Sequence, residues 1–204
     1  KSPITHSNLS KEEIAKRNLG QDIPMLLNFL PSVVTTSDAG AGIGYSGIRV
    51  RGVSSQSTNV TINGIPYTDA ESLGTFWVNL GDFASSVESL QLQRGVGTST
   101  NGSGAFGASI NILTDAISKE ASGEISNSFG SFNSRKHTIK FSTGLMGADA
   151  ERSRGIEIAG RLSNIESDGY VDRASSSLKS YFLQGSYVDE NTLIKAVTFG
   201  GNNV

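Results

Sequence analysis

Two short alternating segments of this chain end in Arg-Gly, at Arg51-Gly52 and Arg94-Gly95, and the second continues through Val96-Gly97-Thr98-Ser99-Thr100-Asn101-Gly102. A glycine-rich loop after such a segment is where a phosphate cradle would be sought. This one departs from the dinucleotide fingerprint, since Thr100 stands where the third glycine belongs, and it lacks the Gly-Lys-Ser/Thr ending of a P-loop. Its glycines suit positive φ and tight turns instead. His6 and His137 lie far apart and have no partner at metal-ligand spacing, so both read as ordinary surface or strand histidines. Asp168, Gly169 and Asp172 resemble the start of a calcium loop, but the later acidic ligands are missing. No Ser/His/Asp grouping has local support. The residues therefore predict no enzyme, no cofactor and no metal centre.

The elements around these residues fall into two styles. Ser10-Lys11-Glu12-Glu13 has capping-box spacing and starts a short helix over 11–18 that ends near Gly20. A second helix is predicted over 22–30, with Met25, Leu26, Phe29 and Leu30 as its apolar face and Pro31 as its stop. From Ser32 the period changes to two. Val33-Val34 is a short strand, and residues 37–47 form a loop punctuated by Gly40, Gly42, Gly44 and Gly47. Residues 47–52 are a strand with Ile48 and Val50 on one face and Arg49 and Arg51 on the other. Asn63-Gly64 marks a hairpin over 59–65. Residues 86–95 set Leu90 and Leu92 against Ser89, Gln91 and Gln93, and residues 108–114 are the last strand of this mixed region.

After about Lys119 helix signals disappear and alternating segments follow one another, over 124–132, 136–145, 155–165, 178–188 and 193–199. The third sets Ile156, Ile158, Gly160 and Leu162 against Glu157, Ala159, Arg161 and Ser163. The fourth sets Tyr181, Leu183, Gly185 and Tyr187 against Ser180, Phe182, Gln184 and Ser186. Such faces suit a barrel with a wet interior and a lipid-facing exterior. A soluble antiparallel sheet alternates in the same way, so the pattern alone leaves both open. Closure adds an argument. Bacterial outer-membrane barrels use eight strands or more, and an unclosed apolar edge is an aggregation hazard. On the barrel reading the chain is expected to be a fragment.

Bulk properties narrow the classes. The 204 residues carry a formal net charge of −2, without the basic excess of a nucleic-acid binder. Cysteine is absent, which removes disulfide frameworks and thiol nucleophiles. No run of 18 apolar residues exists, so no transmembrane helix is expected, which leaves membrane strands open. No signal peptide is visible at Lys1, so the protein is either cytoplasmic or a processed or trimmed chain, and the second is the preferred expectation.

Several of these elements occur together in a known order. A strand and helix open the chain, then come Leu30-Pro31-Ser32-Val33, Ile48-Arg49-Val50-Arg51-Gly52 and Val60-Thr61-Ile62-Asn63-Gly64-Ile65-Pro66. Val87-Glu88-Ser89-Leu90 leads to Gln93-Arg94-Gly95, and residues 104–112 (Gly-Ala-Phe-Gly-Ala-Ser-Ile-Asn-Ile) close the series. Over about residues 4–118 the chain resembles the plug domain of TonB-dependent outer-membrane receptors, with a flavour similar to those of Bacteroides-like bacteria. The resemblance implies an α+β plug domain over 1–118, a small mixed sheet with short helices. The first antiparallel strands of a transmembrane β-barrel, incomplete in this chain, follow over 119–204. The segment 167–173 looks like an outward loop.

The family implies a plug inside a barrel of about 22 strands in the bacterial outer membrane. Upper loops bind a scarce nutrient (iron-siderophore, haem, cobalamin or glycan), and TonB, with inner-membrane energy-coupling proteins, pulls an N-terminal segment. Outer-membrane lipid surrounds the barrel. A surface lipoprotein is a further partner class for which no residue here speaks. The TonB-contacting box is not identifiable; residues 1–5 lie at or just after its expected place. Arg51 and Arg94 match the two plug arginines that pair with barrel glutamates and lock the plug. Guanidinium suits bidentate carboxylate contact, and solvated strand ends are the alternative. Candidate ligand-facing loops carry Asp38; Ser55, Gln56 and Ser57; and Glu71, Phe76 and Trp77. For the two aromatics, packing in the plug core is an equal alternative. The competing reading of the whole is a soluble β-rich extracellular binding or adhesion module.

Overall fold

The computed structural model describes residues 5–96, 106–147, 154–173 and 175–204, and the chain divides into two compact units, Lys1–Asp115 and Ala116–Val204. The glycine-rich loop expected after Gly95 and the TonB-contacting segment before Thr5 fall largely outside the described residues.

The first unit opens with β1 (His6–Ser10) and α1 (Lys11–Arg17). The capping box forms: the Ser10 hydroxyl accepts from the Glu13 N–H at 3.4 Å while the Ser10 N–H donates to Glu13 Oε2 at 2.9 Å. Glu12 and Glu13 in the first turn and Lys16 and Arg17 in the last complement the helix dipole. The second helix, α2 (Ile23–Leu27), is shorter than expected. Pro31 disfavours helical backbone at Leu30, and the chain turns away through Ser32 at φ 66. Phe29 therefore leaves the apolar face and lies exposed, with the Arg17 guanidinium 3.3 Å above its ring.

A separate hairpin follows, β2 (Val33–Ser37) against β3 (Ser46–Val50). The strand expected to reach Gly52 stops at Val50. Arg51 and Gly52 have φ 53 and 77, so Arg51 does not share the strand face of Arg49 but sits in a left-handed turn. Its N–H donates to the Ser32 carbonyl at 2.8 Å. Next come β4 (Thr58–Ile62) and β5 (Ile65–Pro66), joined by Asn63 and Gly64 at φ 52 and 81, the paired positive φ of a type I′ turn. Two 3-10 turns, Trp77–Leu80 and Phe83–Ser86, which the sequence did not announce, lead into β6 (Val87–Arg94); β7 (Ala108–Thr114) completes the sheet.

The sheet order is β1-β6-β7-β4-β5, with β4 and β7 parallel and the other pairs antiparallel. Leu90, Leu92, Ile110, Ile112 and Val60 point to the buried face, as the alternation in 86–95 predicts. The opposite face carries a hydrogen-bonded row across four strands, Asn8–Gln91–Asn111–Thr61, with adjacent members in register.

The second unit is a meander of β8 (Ser122–Phe129), β9 (Arg135–Ser142), β10 (Gly155–Ser167), β11 (Ser176–Asp189) and β12 (Thr192–Asn203). All its pairings are antiparallel. Each strand falls on a predicted alternating segment. The sense of burial is inverted. Lys136, Thr138, Glu157, Arg161, Ser163, Ser180, Gln184 and Ser186 are buried, whereas Ile125, Ile139, Phe141, Ile156, Ile158, Leu162, Tyr181, Leu183 and Tyr187 are exposed. A soluble sheet does the reverse, and a membrane barrel wall does this. One outward row runs Ile125, Ile139, Leu162, Tyr181 across β8 to β11; the next row along runs Asn127, His137, Asn164, Lys179 and ends at Asn202. The apolar band thus stops within two residues. On the apolar face the Phe141 ring lies over Gly160 and the Tyr181 ring over Gly200, so a Cβ at either glycine would meet ring atoms at 2.7 and 3.1 Å. The five strands are an open sheet, an incomplete barrel wall.

Candidate functional site: an arginine pair and three loops of the first unit

Arg94 closes β6 and is only 8% exposed. Its Nε donates to the Pro31 carbonyl at 3.0 Å and its Nη2 to the Ser7 hydroxyl at 2.6 Å, while its backbone N–H reaches the Thr5 carbonyl. Arg51 is exposed, and its Nη1 lies 3.2 Å from where a Cβ on Gly95 would stand. Gly95 has φ +90, so both its backbone and its lack of a side chain are needed here. Arg51, 43 positions before Arg94 in sequence (94 − 51), thus reaches the residue that follows Arg94. The Gly95 N–H donates to the Gly107 carbonyl at 2.8 Å, and the Gly107 N–H to the Ser57 carbonyl at 2.9 Å. Among the described residues no carboxylate lies within ion-pair distance of either guanidinium. The Pro31 carbonyl and the Ser7 hydroxyl are neutral acceptors, which leaves the buried charge of Arg94 without an anionic partner among the described residues.

The candidate loop residues separate by exposure. Asp38, Gln56, Glu71 and Phe76 are exposed, and Ser55 and Ser57 are half-buried in a 3-10 turn. Trp77 is 3% exposed and Phe76 46%, so only the first of these neighbours is a core side chain. The loop holding Asp38 is tied internally: the Gly42 N–H donates to the Ser37 hydroxyl at 3.0 Å and the Asp38 N–H to the Tyr45 carbonyl at 3.1 Å.

Two acids position these loops. Asp22 is buried at the base of the first. It accepts from the Ser46 hydroxyl at 2.7 Å and from the Gly44 N–H, and its own N–H donates to the Gly42 carbonyl at 2.8 Å. Burial pushes its carboxyl up to about 7, and the two donors oppose that shift only in part. Its place before an apolar run marks Asp22 as an N-cap, but the side chain caps nothing in α2 and turns to the loop instead. Asp69 organises the loop of Glu71. Its Oδ1 accepts the N–H groups of Glu71 and Ser72 at 3.1 and 2.7 Å, which holds its carboxyl below the usual range.

The family model for the TonB-dependent Receptor Plug Domain matches residues 1–109. The ferric enterobactin receptor of Pseudomonas aeruginosa is 25% identical over 176 residues, which is 80% of this chain and 24% of that protein. Among solved structures, the chain is similar to the receptor FpvA of P. aeruginosa bound to heterologous pyoverdine, with a TM-score of 0.77 at 15% identity, over 100% of this chain and 26% of that one. A copper transporter, OprC, gives 0.73 at 18% identity, over 100% of this chain and 32% of its own. The chain thus spans about a quarter of the length of the first of these relatives.

Proposed function

This chain belongs to the TonB-dependent receptor plug family, and on that premise we propose that it is the plug and first barrel strands of an outer-membrane receptor that imports a scarce nutrient by energy-coupled movement of the plug. The observation that carries the reading is the reversal of burial between the two units: an apolar core in the first, exposed apolar rows in the second. Members of this family are transporters of the bacterial outer membrane, not enzymes. A ferric siderophore is the favoured cargo, supported by relatives named for ferric enterobactin and other siderophores; haem, cobalamin and glycans stand behind it. TonB and its inner-membrane partners supply the energy.

Arg51 and Arg94 hold the plug by pairing with carboxylates of barrel strands outside this chain. The approach of Arg51 to Gly95 and the lack of an anionic partner for Arg94 among the described residues support this. Asp38, Ser55, Gln56, Ser57, Glu71 and Phe76 face the ligand in this proposal, whereas the burial of Trp77 favours a supporting role for that ring. A soluble binding or adhesion module would have to cover the face of Ile139, Leu162 and Tyr181, for which nothing speaks.

The test is uptake of labelled ferric enterobactin, haemin, cyanocobalamin and a mixed oligosaccharide by cells carrying the full-length receptor, with and without TonB. TonB-dependent uptake of ferric enterobactin is expected. TonB-dependent uptake of none of the four would overturn the reading. Glu71→Ala and Phe76→Ala should weaken binding of the transported compound, and unchanged affinity in both would remove those loops from the site.

A further inference from the structure

We propose that Glu157 anchors the segment leading into β8 to the barrel wall, so that the chain leaves the plug at a hinge of two residues, Ala116 and Ile117. Glu157 lies on the buried face of β10 and is 1% exposed. Its Oε1 accepts two hydrogen bonds, from the Ser118 N–H at 2.9 Å and the Ser142 hydroxyl at 2.7 Å. The same Ser142 hydroxyl accepts from the Gly144 N–H at 3.0 Å. Gly144, at φ +66, lets the segment pass very close: a Cβ there would stand 2.5 Å from the Ala121 nitrogen and the Glu120 carbonyl carbon. Residues 118–121 are thus pressed on one strand connection and held by one buried carboxylate. Three positions earlier the attachment is different, because the Asp115 N–H donates to the Ser86 carbonyl inside the first unit.

The change of attachment between Asp115 and Ser118 sets the reach of the hinge. With these two residues extended, the three Cα steps from Asp115 to Ser118 span about 10 Å. Freed as far as Ser122, the start of β8, the leash would be six residues, and the seven Cα steps from Asp115 would span about 24 Å. A plug drawn from its N-terminal end therefore has a short, fixed stop while Glu157 holds. A carboxylate suits this role because a charged acceptor strengthens both bonds, one of them to the part-buried Ser118 N–H. Glu157 acts through the segment it holds and touches no cargo; it is a positioning residue. This role in the cycle rests on the transport reading above.

The experiment is hydrogen exchange on the purified full-length receptor, comparing wild type, Glu157→Ala and Glu157→Gln. Glutamine keeps an accepting oxygen and places its NH2 where Oε2 has no partner among the described residues. The expected result is exchange at least about tenfold faster over residues 118–121 in Glu157→Ala, unchanged exchange in β6 and β7, and wild-type behaviour in Glu157→Gln. Equal exchange in wild type and Glu157→Ala would overturn the anchor.

A second readout separates a mechanical role from local packing. In cells supplied with ferric enterobactin, a cysteine at position 119 should react faster with a maleimide in Glu157→Ala than in the parent, and the rise should be severalfold larger when TonB is present. An equal rise without TonB would overturn the stop, as would no rise. If no variant transports anything, the transport reading falls, and the exchange result still decides whether Glu157 holds the segment.

Discussion

The two units of this chain use the same period of two and bury opposite sides of it. In the first, Leu90, Leu92, Ile110 and Ile112 lie inside, and the amide row of Asn8, Gln91 and Asn111 lies on the more open face. In the second, Glu157, Arg161 and Gln184 are buried and Ile158, Leu162 and Leu183 are exposed. A plug that works in an aqueous lumen, as proposed for this chain, must carry its own apolar core. A wall strand keeps its apolar side for lipid. Alternation identifies a strand, and the surrounding solvent decides which side is the inside.

Substitutions that add charge test this contrast most severely. Ile110→Asp would place an unpaired carboxylate in a fully buried site and should prevent the plug from folding, seen as loss of plug protection from protease in otherwise assembled receptor. Ile158→Arg would be nearly silent on a water-exposed strand. On a lipid-facing strand it should be destabilising, by up to about 2–4 kcal/mol at the bilayer midplane, measured by reversible unfolding of the receptor into and out of lipid vesicles. A change below about 0.5 kcal/mol would remove the lipid from the argument.

A third test uses pH. The Asp22 carboxyl is raised to about 7 in the folded plug, against an ordinary value near 3.8. The folded state thus holds a proton that the unfolded chain has released, and plug stability should fall as pH rises from about 4 to about 7. The slope is at most about 1.4 kcal/mol per pH unit. Asp22→Asn keeps an acceptor for Ser46 and should flatten that dependence, read from thermal unfolding of the receptor at pH 5 and pH 8. The smallest effect is expected at Ser10→Ala, which removes one half of the capping box and should cost about 1 kcal/mol, visible as faster amide exchange in α1.

Much of this was legible in the residues. The capping box, the Asn63-Gly64 turn and the bounds of β7 follow from local chemistry that needs no distant partner. What was not legible depends on distant partners. The parallel pairing of β4 with β7, the turn that takes Arg51 off its strand and the early end of α2 are settled by tertiary contacts. The candidate site shows the same division. Arg51 and Arg94 stand out by their Arg-Gly spacing, but the approach of the Arg51 guanidinium to Gly95 does not. Asp22 and Asp69 passed unnoticed, since an acid before an apolar run reads as a helix cap and an acid in a loop reads as solvated. The separation of Phe76 from Trp77 required the 3-10 turn that begins at Trp77.

The central place of β7 has a consequence for how the chain reaches its native state. The last strand of the first unit lies between β6 and β4, and its parallel partner begins 50 positions earlier (108 − 58). As the chain emerges from its N-terminus, β1 can pair with β6 and β4 with β5 before Ala108 appears, but the strand that joins these two parts of the sheet is still missing. The sheet closes in one late step with a high loop-closure cost, so its apolar strands stay unsheltered until that strand arrives. A chain that folds in this order depends on being kept apart from its neighbours during transit, and its yield should respond to periplasmic chaperone supply more steeply than to its final stability.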